Sequence, residues 1–268
     1  MQRYDGKVCV VTASTAGIGY AIAERLASEG AKVMVSSRKQ DAVDAAVGKI
    51  RQIPGVKSAN IAGVVCHVNN PEHRKNLFEK TKEAFGATID VLVLNAAAST
   101  HFGDTMKTSD RSFDKMFETN VKSTFQLARD AMPYLTPSSF KSSAGEFTTN
   151  IILIASFAGF HPAAPIGIYG VTKTTMFGLT RAMAKDFAKR GIRVNCIAPG
   201  IIRTSFSAPL VESFEAGNPV TPEVTNVCWM SRVGESQEIA SAVAFLSSAD
   251  GSYMTGEIMV VAGGPARL

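Results

Sequence analysis

Residues 7–30 of the 268-residue chain read KVCVVTASTAGIGYAIAERLASEG, and this stretch passes from one structural pattern to another. The apolar run at its start is typical of a buried strand, and the segment after Gly17 has the apolar spacing of a helix. A glycine-containing turn between a strand and a helix predicts the opening unit of an α/β fold. The turn could cradle a phosphate, although it lacks the spacing G-x-G-x-x-G.

The same alternation of apolar runs and helical patterns continues to the end of the chain. Further runs rich in Val and Ile lie at residues 33–35, 61–65, 91–94, 151–155, 194–197 and 258–261. Helical patterns occupy residues 18–29, 40–52, 72–85, 110–133, 169–190 and 236–248. Strands that are apolar on both faces are typical of a covered parallel sheet. The sequence therefore predicts one α/β domain over residues 1–268, a Rossmann-like doubly wound parallel sheet of about seven strands with helices on both faces.

Composition narrows the class of protein. Hydrophobic residues make up 46% and charged residues 19% of the chain, which is typical of a globular protein. The net charge of +5 comes from Lys and Arg spread along the chain, so the sequence does not favour nucleic acid as a partner. No apolar run reaches the roughly 18 residues of a membrane span. The four cysteines lack the spacing of a zinc site or a disulfide framework, so we expect no membrane span and no metal.

The turn after the first strand is a candidate phosphate site. Gly17 and Gly19 permit positive φ and a close approach of the backbone, and the first amides of a helix favour an anion. Ser14 and Thr15 can add hydroxyl donors. Ala13 is expected to keep a negative φ, since a left-handed alanine is strained. A turn without a ligand is the alternative reading.

The end of the second strand bears on the choice of dinucleotide. Sites for NAD commonly place Asp or Glu about 20 residues after the glycine turn, where it binds ribose hydroxyls. Here the chain has Ser37, Arg38 and Lys39 instead. A carboxylate would repel a 2′-phosphate, whereas Ser and Arg can bind one. The sequence thus predicts NADP(H) over NAD(H), unless Arg38 and Lys39 are only a charged helix start.

Three residues farther along can perform proton chemistry. Tyr169 and Lys173 are spaced i, i+4 and share one face of a predicted helix. A nearby ammonium would lower the pKa of a tyrosine from about 10 and make the phenol a better proton shuttle. Ser156 ends a predicted strand 13 residues before Tyr169, so both hydroxyls could meet one carbonyl oxygen. A Tyr and a Lys at this spacing often occur together by chance. The prediction therefore depends on their combination with Ser156.

These features together resemble the short-chain dehydrogenase/reductases. The matching residues are TASTAGIG at 12–19, NAAA at 95–98, Asn120, Ser156, YGVTK at 169–173 and RVNCIAPGIIRT at 193–204. The resemblance implies a catalytic tetrad in which Tyr169 is the general acid and Ser156 orients the carbonyl. It implies that Lys173 lowers the tyrosine pKa and holds the nicotinamide ribose. It also implies that Asn120 binds the helix backbone and supports a water that relays protons to Lys173.

The resemblance also completes a set of expected cofactor contacts. Asn95 would steady the sheet beside the cofactor, Pro199 and Gly200 would let the chain pass the nicotinamide, and Ile202 and Thr204 would grip its amide or the phosphates. The full expected set is Ser14, Thr15, Gly17, Ile18, Gly19, Ser37, Arg38, Lys39, His67, Val68, Asn95, Ala96, Tyr169, Lys173, Pro199, Gly200, Ile202 and Thr204. The chain departs from the family pattern where Ala13 replaces the first glycine of the turn and where NAAA lacks a closing glycine.

Several phrases are similar to one branch of the family, the peroxisomal NADPH-dependent carbonyl and retinal reductases. They are VTASTAGIG, VSSRK, CHV, RVNCIAPGIIRTSFS and the final PARL. The branch implies small carbonyl substrates and a homotetramer built across the helices near 110–133 and 169–190. Ala266-Arg267-Leu268 is a conservative variant of the peroxisomal address Ser-Lys-Leu and predicts binding to the import receptor. A cytoplasmic enzyme is the alternative.

The segment 203–230 predicts a substrate lid or, alternatively, a packed connector. It contains three prolines and apolar residues such as Phe206 and Leu210. Phe157, Phe160 and His161 suggest an apolar pocket, although ordinary packing explains each alone. Two other functions stay open at this point. One is an NADP-dependent alcohol, steroid or retinol dehydrogenase working in the oxidative direction, and the other is a cofactor-binding sensor or scaffold without turnover.

Overall fold

A computed structural model describes residues 2–86, 88–136, 146–162, 164–216 and 228–264. Within them, seven strands form one sheet in the order β3-β2-β1-β4-β5-β6-β7, and every neighbouring pair is parallel. The strands are β1 Val8–Val11, β2 Lys32–Ser37, β3 Ile61–Val65, β4 Val91–Leu94, β5 Asn150–Ile154, β6 Arg193–Pro199 and β7 Ile258–Val261. The predicted seven-stranded, doubly wound sheet is confirmed.

Helices cover both faces of the sheet, as predicted. They are α1 Gly17–Ser28, α2 Gln40–Arg51, α3 Pro71–Phe85, α4 Asp110–Phe117, α5 Ser123–Ala131, α6 Gly167–Ala188, α7 Ala208–Glu215 and α8 Ser236–Leu246. Residues of α3, α5 and α6 share one apolar core, and residues of α1, α2 and α8 share the other. In β1, Val8 and Val10 belong to the first core, whereas Cys9 and Val11 belong to the second. Burial on both faces is why these strands read as continuous apolar runs.

The strand order reverses between β1 and β4, which lie side by side with Cys9 opposite Val91. From β1 the chain builds the sheet outward to β3, and from β4 it builds in the other direction to β7. Ligands of open parallel sheets bind beyond the carboxyl ends of the strands at such a reversal. The turn after β1 and the residues after β4 and β5 therefore border one crevice.

The predicted helix 110–133 is wrong in one respect, because it is two helices. Between α4 and α5 lies a π-helical turn, Glu118–Lys122, which carries Asn120. Turns of this type insert one residue into a helix and are frequent at functional sites. Because α4 and α5 each keep a helical apolar spacing, the sequence pattern over 110–133 reads as one helix and does not reveal the turn.

Two predicted segments lie partly or wholly outside the described residues. They are the lid 203–230, of which residues 217–227 are not described, and the Ala266-Arg267-Leu268 tripeptide. The described part of the lid is more regular than expected, with a 3₁₀ turn at Ser205–Ser207 followed by α7. Across the ranges given above, no helix is both long and apolar enough to cross a bilayer, and no cluster of His, Cys, Asp or Glu could hold a metal ion.

Candidate functional site

The turn after β1 is held by contacts from distant parts of the chain. Ala13 adopts φ +51°, so the expectation of a negative φ is wrong. Asn95 Nδ2, just beyond β4, donates to the carbonyl oxygens of Thr12 and Ala13, each at 3.1 Å. A left-handed alanine costs about 1–2 kcal/mol, and these hydrogen bonds offset that strain. Asn95 thus has the steadying place that the sequence predicted for it.

The N-terminus of α1 has the features of an anion site. Its N-cap, Ala16, offers no side-chain hydrogen bond, and the first turn of the helix contains no acidic residue. A Cβ at Gly19 would collide with the Ala13 carbonyl oxygen and Asn95 Nδ2, so the close packing of this turn requires glycine. Gly17 has φ +53°, a conformation that glycine adopts without strain. The first amides of α1 have no side-chain cap, and the glycines beside them allow a ligand to approach the backbone. This arrangement fits a pyrophosphate group.

Two hydroxyls predicted to face the phosphates are placed differently. Ser14 is fully buried, and its hydroxyl donates to the Val11 carbonyl oxygen at 2.6 Å and accepts from the Ser36 amide at 3.0 Å. Its single proton is used inside the turn, so the predicted role of Ser14 as a phosphate donor is wrong. Ser14 instead links β1 to β2 through these two hydrogen bonds. Thr15 is half-buried beside the turn but does not line the cavity described below.

The carboxyl ends of β2 and β3 form a positively charged region. Ser37 ends β2, and the exposed Arg38 reaches the cavity rim, while Lys39 is exposed beside it. Burial lowers the pKa of His67, and the positive charges of Lys115 and Arg38 lower it further. The predicted contacts His67 and Val68 follow β3, and Val68 is buried. Neither lines the cavity.

One cavity of about 660 Å³ runs from the β1 turn to the predicted catalytic residues. It is bordered by the predicted contacts Gly17, Ile18, Gly19, Arg38, Asn95, Ser156, Tyr169, Lys173, Pro199, Gly200, Ile202 and Thr204. Ala96 lies beside it, with its amide on the Thr12 hydroxyl at 3.3 Å. Thr204 also caps the 3₁₀ turn through Ser207. The structure thus brings together groups from five strand ends.

Ser156 and Tyr169 converge at the far end of this cavity. Ser156 follows β5 and caps a 3₁₀ turn by accepting from the Ala158 amide at 3.1 Å. Burial raises the pKa of Tyr169 to about 12, and interaction with the Ser156 side chain opposes that rise. The lowered tyrosine pKa expected from Lys173 is therefore wrong for this structure, because desolvation is the larger effect. The phenol stays protonated at neutral pH, as a proton donor must.

Lys173 lies below the Tyr169 ring, with Nζ 5.4 Å from the ring centroid. Its side chain is buried, and Nζ donates to the Ile154 carbonyl oxygen at 3.0 Å and to Met176 Sδ at 3.6 Å. No carboxylate contacts it among the described residues. Burial lowers the pKa of the ammonium from 10.5 to about 8. Lys173 can therefore gain and lose a proton close to neutral pH.

Asn120 links the segment after β4 to α6. Its Oδ1 accepts from the Ala98 amide at 2.7 Å, and its Nδ2 donates to the Ala98 carbonyl oxygen at 2.9 Å. The same Nδ2 donates to Thr172 Oγ1 at 2.9 Å. The Asn120 carbonyl oxygen accepts from Thr124 Oγ1 at 2.8 Å. The side chain thus binds the backbone of the segment after β4 and not the helix backbone that the resemblance implied.

Sequence reasoning missed part of the cavity wall. The segment after β4 lines it with Ala97, Ser99, Thr100, His101 and Phe102. Its position directly after the NAAA phrase was the available signal. Phe206, whose ring centroid is 5.9 Å from that of Tyr169, lines it from the lid together with Leu210. Of the suggested pocket residues, Phe157 and His161 also line it, whereas Phe160 packs on Phe177 with ring centroids 4.4 Å apart.

Comparisons with known proteins place the whole chain among oxidoreductases. Residues 12–265 match the family described as enoyl-(acyl carrier protein) reductase. The chain is 44% identical over 268 residues to tropinone reductase-like 3 of Erythroxylum coca, across 100% of this chain and 96% of that protein. It is 40% identical over 272 residues to dehydrogenase/reductase SDR family member 4 of Homo sapiens, across 100% of this chain and 92% of that protein. A solved short-chain dehydrogenase/reductase from Brucella melitensis, described as glucose/ribitol dehydrogenase, has a TM-score of 0.83 and 27% identity, across 98% of this chain and 97% of that one.

Proposed function

Because the chain belongs to the short-chain dehydrogenase/reductases, an oxidoreductase family that binds nicotinamide cofactors, we propose that it reduces small carbonyl compounds with NADPH. One observation carries the proposal. A single cavity joins an uncapped helix N-terminus at one end to Ser156, Tyr169 and Lys173 at the other. The cavity, with a volume of about 660 Å³, lies within the size range of small-molecule and cofactor sites. Its substrate end is mainly apolar, with Phe102, Phe157 and Phe206.

The described residues supply proton transfer and orientation. A reduced nicotinamide, when bound, supplies the hydride. Tyr169 donates its proton to the carbonyl oxygen, and the Ser156 hydroxyl donates a hydrogen bond to that oxygen. The Lys173 ammonium stabilises the tyrosinate that forms. Gly17, Ile18 and Gly19 would hold the pyrophosphate at the start of α1, and Ile202 and Thr204 would border the nicotinamide.

A substrate panel tests the proposal most directly. Aromatic ketones, α-dicarbonyls, retinal and steroid ketones are each incubated with NADPH or NADH, and cofactor oxidation is followed by absorbance. We expect turnover of apolar carbonyls with NADPH at higher kcat/KM than with NADH. Cofactor binding without turnover of any carbonyl would contradict the proposal and favour the sensor or scaffold reading.

The pKa of Lys173 gives the reaction a pH dependence. The burial that lowers this pKa to about 8 means that the ammonium loses its proton above that pH, while Tyr169 stays protonated. We expect kcat for reduction to fall by up to about tenfold per pH unit above pH 8, and the rate of alcohol oxidation to rise over the same range. Initial rates between pH 6 and 10 measure both. A reduction rate that stays constant to pH 10 would contradict the role of Lys173.

The preference for NADPH is proposed from the end of β2. Ser37 and Arg38 stand where a carboxylate would repel a 2′-phosphate, and Arg38 borders the cavity. We expect Arg38→Ala to raise the KM for NADPH about tenfold, because one charge-assisted hydrogen bond is lost at an exposed site. The KM for NADH should change less than twofold. Lys49→Ala, which removes an exposed charge from α2, is the control, and equal effects of Arg38→Ala on both cofactors would refute the contact.

Oxidation of alcohols, steroids or retinol is the second candidate function. The same four residues serve both directions, so the site does not separate them. The proposed NADPH preference favours reduction, because cells keep that cofactor mostly reduced. The same assay run with NADP⁺ and alcohols measures the oxidative rate, which can be compared with the rate of carbonyl reduction.

A homotetramer is also part of the proposal. Phe113, Phe125 and Val171 are exposed on α4, α5 and α6, the helices that the branch resemblance assigns to subunit contacts, and the exposed Met132 directly follows α5. Exposed apolar side chains that join into one surface would favour a protein contact. Size-exclusion chromatography with light scattering measures the mass. Import into peroxisomes through Ala266-Arg267-Leu268 stays a prediction.

A further inference from the structure

Thr172 lies inside a buried hydrogen-bond chain that joins Asn120 to α6. Asn120 Nδ2 donates to Thr172 Oγ1 at 2.9 Å, and Thr172 Oγ1 donates to the Tyr169 carbonyl oxygen at 2.6 Å. Both side chains have no exposed surface. Thr172 is not part of the proposed tetrad, although it lies between Tyr169 and Lys173 in the chain.

The chain of bonds has a fixed direction. A threonine hydroxyl has one proton and can otherwise only accept. Because Thr172 gives its proton to the Tyr169 carbonyl oxygen, its oxygen must accept from its other neighbour. That neighbour is the Asn120 amide, so Nδ2 rather than Oδ1 has to face Thr172. The Thr172 hydroxyl therefore favours the same orientation of the Asn120 side chain as the Ala98 backbone, whose amide donates to Oδ1 and whose carbonyl oxygen accepts from Nδ2.

The selected orientation is the one that fits the segment after β4. With Nδ2 toward Thr172, Oδ1 faces the Ala98 amide and accepts its proton at 2.7 Å. The opposite orientation would place the Asn120 NH₂ group against the Ala98 N–H, donor against donor, and leave both buried groups unsatisfied. The Ala98 backbone and the Thr172 hydroxyl thus hold the Asn120 amide together, and Thr172 extends the pairing of the π-helical turn with the cavity wall to α6.

We infer that Thr172 is a positioning residue, which anchors the Asn120 amide together with Ala98 and ties the π-helical turn to the helical turn that carries Tyr169 and Lys173. The inference rests on the proposed function as far as its effect on turnover is concerned. The orientation itself follows from hydrogen bonds among the protein's own groups. The two parts can therefore be tested separately.

The chain offers matched variants. Thr172→Val keeps the shape and removes the hydroxyl, whereas Thr172→Ser keeps the hydroxyl. Thr81→Val is the control, since Thr81 on α3 is equally buried and its hydroxyl donates only to the Leu77 carbonyl oxygen at 2.7 Å. If Thr172→Val does not yield folded protein, Thr172→Ala carries the same test.

Kinetics test the effect on the reaction. We expect Thr172→Val to lower kcat about tenfold, the loss that corresponds to one buried hydrogen bond, with the KM for NADPH within twofold of the wild type. Thr172→Ser should restore kcat to within about threefold of the wild type, since its hydroxyl keeps both bonds. Thr81→Val should leave kcat unchanged even if it lowers stability. A kcat for Thr172→Val equal to the wild type, or a loss in Thr172→Ser as large as in Thr172→Val, would overturn the inference.

Hydrogen exchange tests the orientation without any substrate. The Ala98 amide proton is protected by Asn120 Oδ1, so we expect its exchange to accelerate about tenfold in Thr172→Val and to stay slow in Thr172→Ser. The β4 amides serve as internal references and should not change. Unchanged protection of Ala98 in Thr172→Val would refute the inference even if the enzyme is active. Loss of protection in a protein that reduces no carbonyl would support the inference and contradict the proposed function.

Discussion

Replacing Tyr169 by Phe is expected to lower carbonyl reduction by about 10³-fold, because a positioned general acid contributes 10²–10⁴-fold. Its hydroxyl interacts with the Ser156 side chain, and both residues line the cavity. The aromatic ring remains and keeps its contact with Phe206, so the cavity wall should be intact. We expect the dissociation constant of NADPH, measured by fluorescence, to change by less than about threefold, since the phenol adds one hydrogen bond at most.

Two control variants sharpen this experiment. Tyr253→Phe removes a phenol that is fully exposed and should leave kcat unchanged. Ser156→Ala removes the group that opposes the rise in the Tyr169 pKa, and should lower kcat while NADPH still binds. Retention of wild-type kcat in Tyr169→Phe would eliminate the tyrosine as proton donor. Loss of NADPH binding together with kcat would instead assign it a structural role.

Sequence patterns predicted much of this molecule for reasons that the structure makes clear. Strands buried on both faces produce unbroken apolar runs, and the spacing of Tyr169 and Lys173 places them on one helix face. The sequence analysis predicted a close approach of the backbone at Gly19. The structure shows that approach, since a Cβ there would collide with Ala13 and Asn95.

Other features depend on contacts that local sequence does not contain. The left-handed Ala13 is stabilised by Asn95, 82 residues away. The π-helical turn lies between two segments that each have helical apolar spacing, so the pattern 110–133 reads as one helix. The hydroxyl of Ser14 is used within the turn because β2 packs beside it. For Ala13 and Ser14 a tertiary hydrogen bond decides the outcome, and its partner cannot be identified from spacing.

The pKa values of the site also could not be predicted from local sequence. From spacing alone, Lys173 was expected to lower the pKa of Tyr169. Burial instead raises the pKa of Tyr169 to about 12 and lowers the pKa of Lys173 to about 8. Desolvation depends on how the whole domain closes over these side chains, which no pair of sequence positions records.

Lys173 is therefore expected to destabilise the fold that it serves, and its replacement by Met should make the protein more stable and inactive. A lowering of its pKa from 10.5 to about 8 corresponds to about 3 kcal/mol against the charged form at pH 7. Removing the ammonium should increase the free energy of unfolding. Part of this increase is lost because the Ile154 carbonyl oxygen loses its Lys173 donor. We expect Lys173→Met to raise the free energy of unfolding by about 1–2 kcal/mol at pH 7 and to lower kcat by about 10²–10⁴-fold.

The pH dependence of this gain identifies its cause. The unfolded chain keeps its lysine protonated up to about pH 10.5, whereas the folded protein releases that proton above about pH 8. The unfolded state therefore binds more protons between these values, and the stability contribution of Lys173 rises with pH across this window. The difference in the free energy of unfolding between Lys173→Met and the wild type should therefore decrease steadily from pH 8 to pH 9.5. Tyr169 is present in both proteins, so its own titration cancels in the difference.

Urea unfolding followed by circular dichroism at pH 7, 8, 9 and 9.5 measures this difference without added cofactor. Lys185→Met is the matched control, since Lys185 lies on the same helix with its side chain exposed and should give no gain at any pH. A Lys173→Met protein that is less stable than the wild type at pH 7, or a gain that does not depend on pH, would show that the buried ammonium is compensated in the fold. The expected result would instead place Lys173 among the residues that a protein keeps for chemistry at a cost in stability.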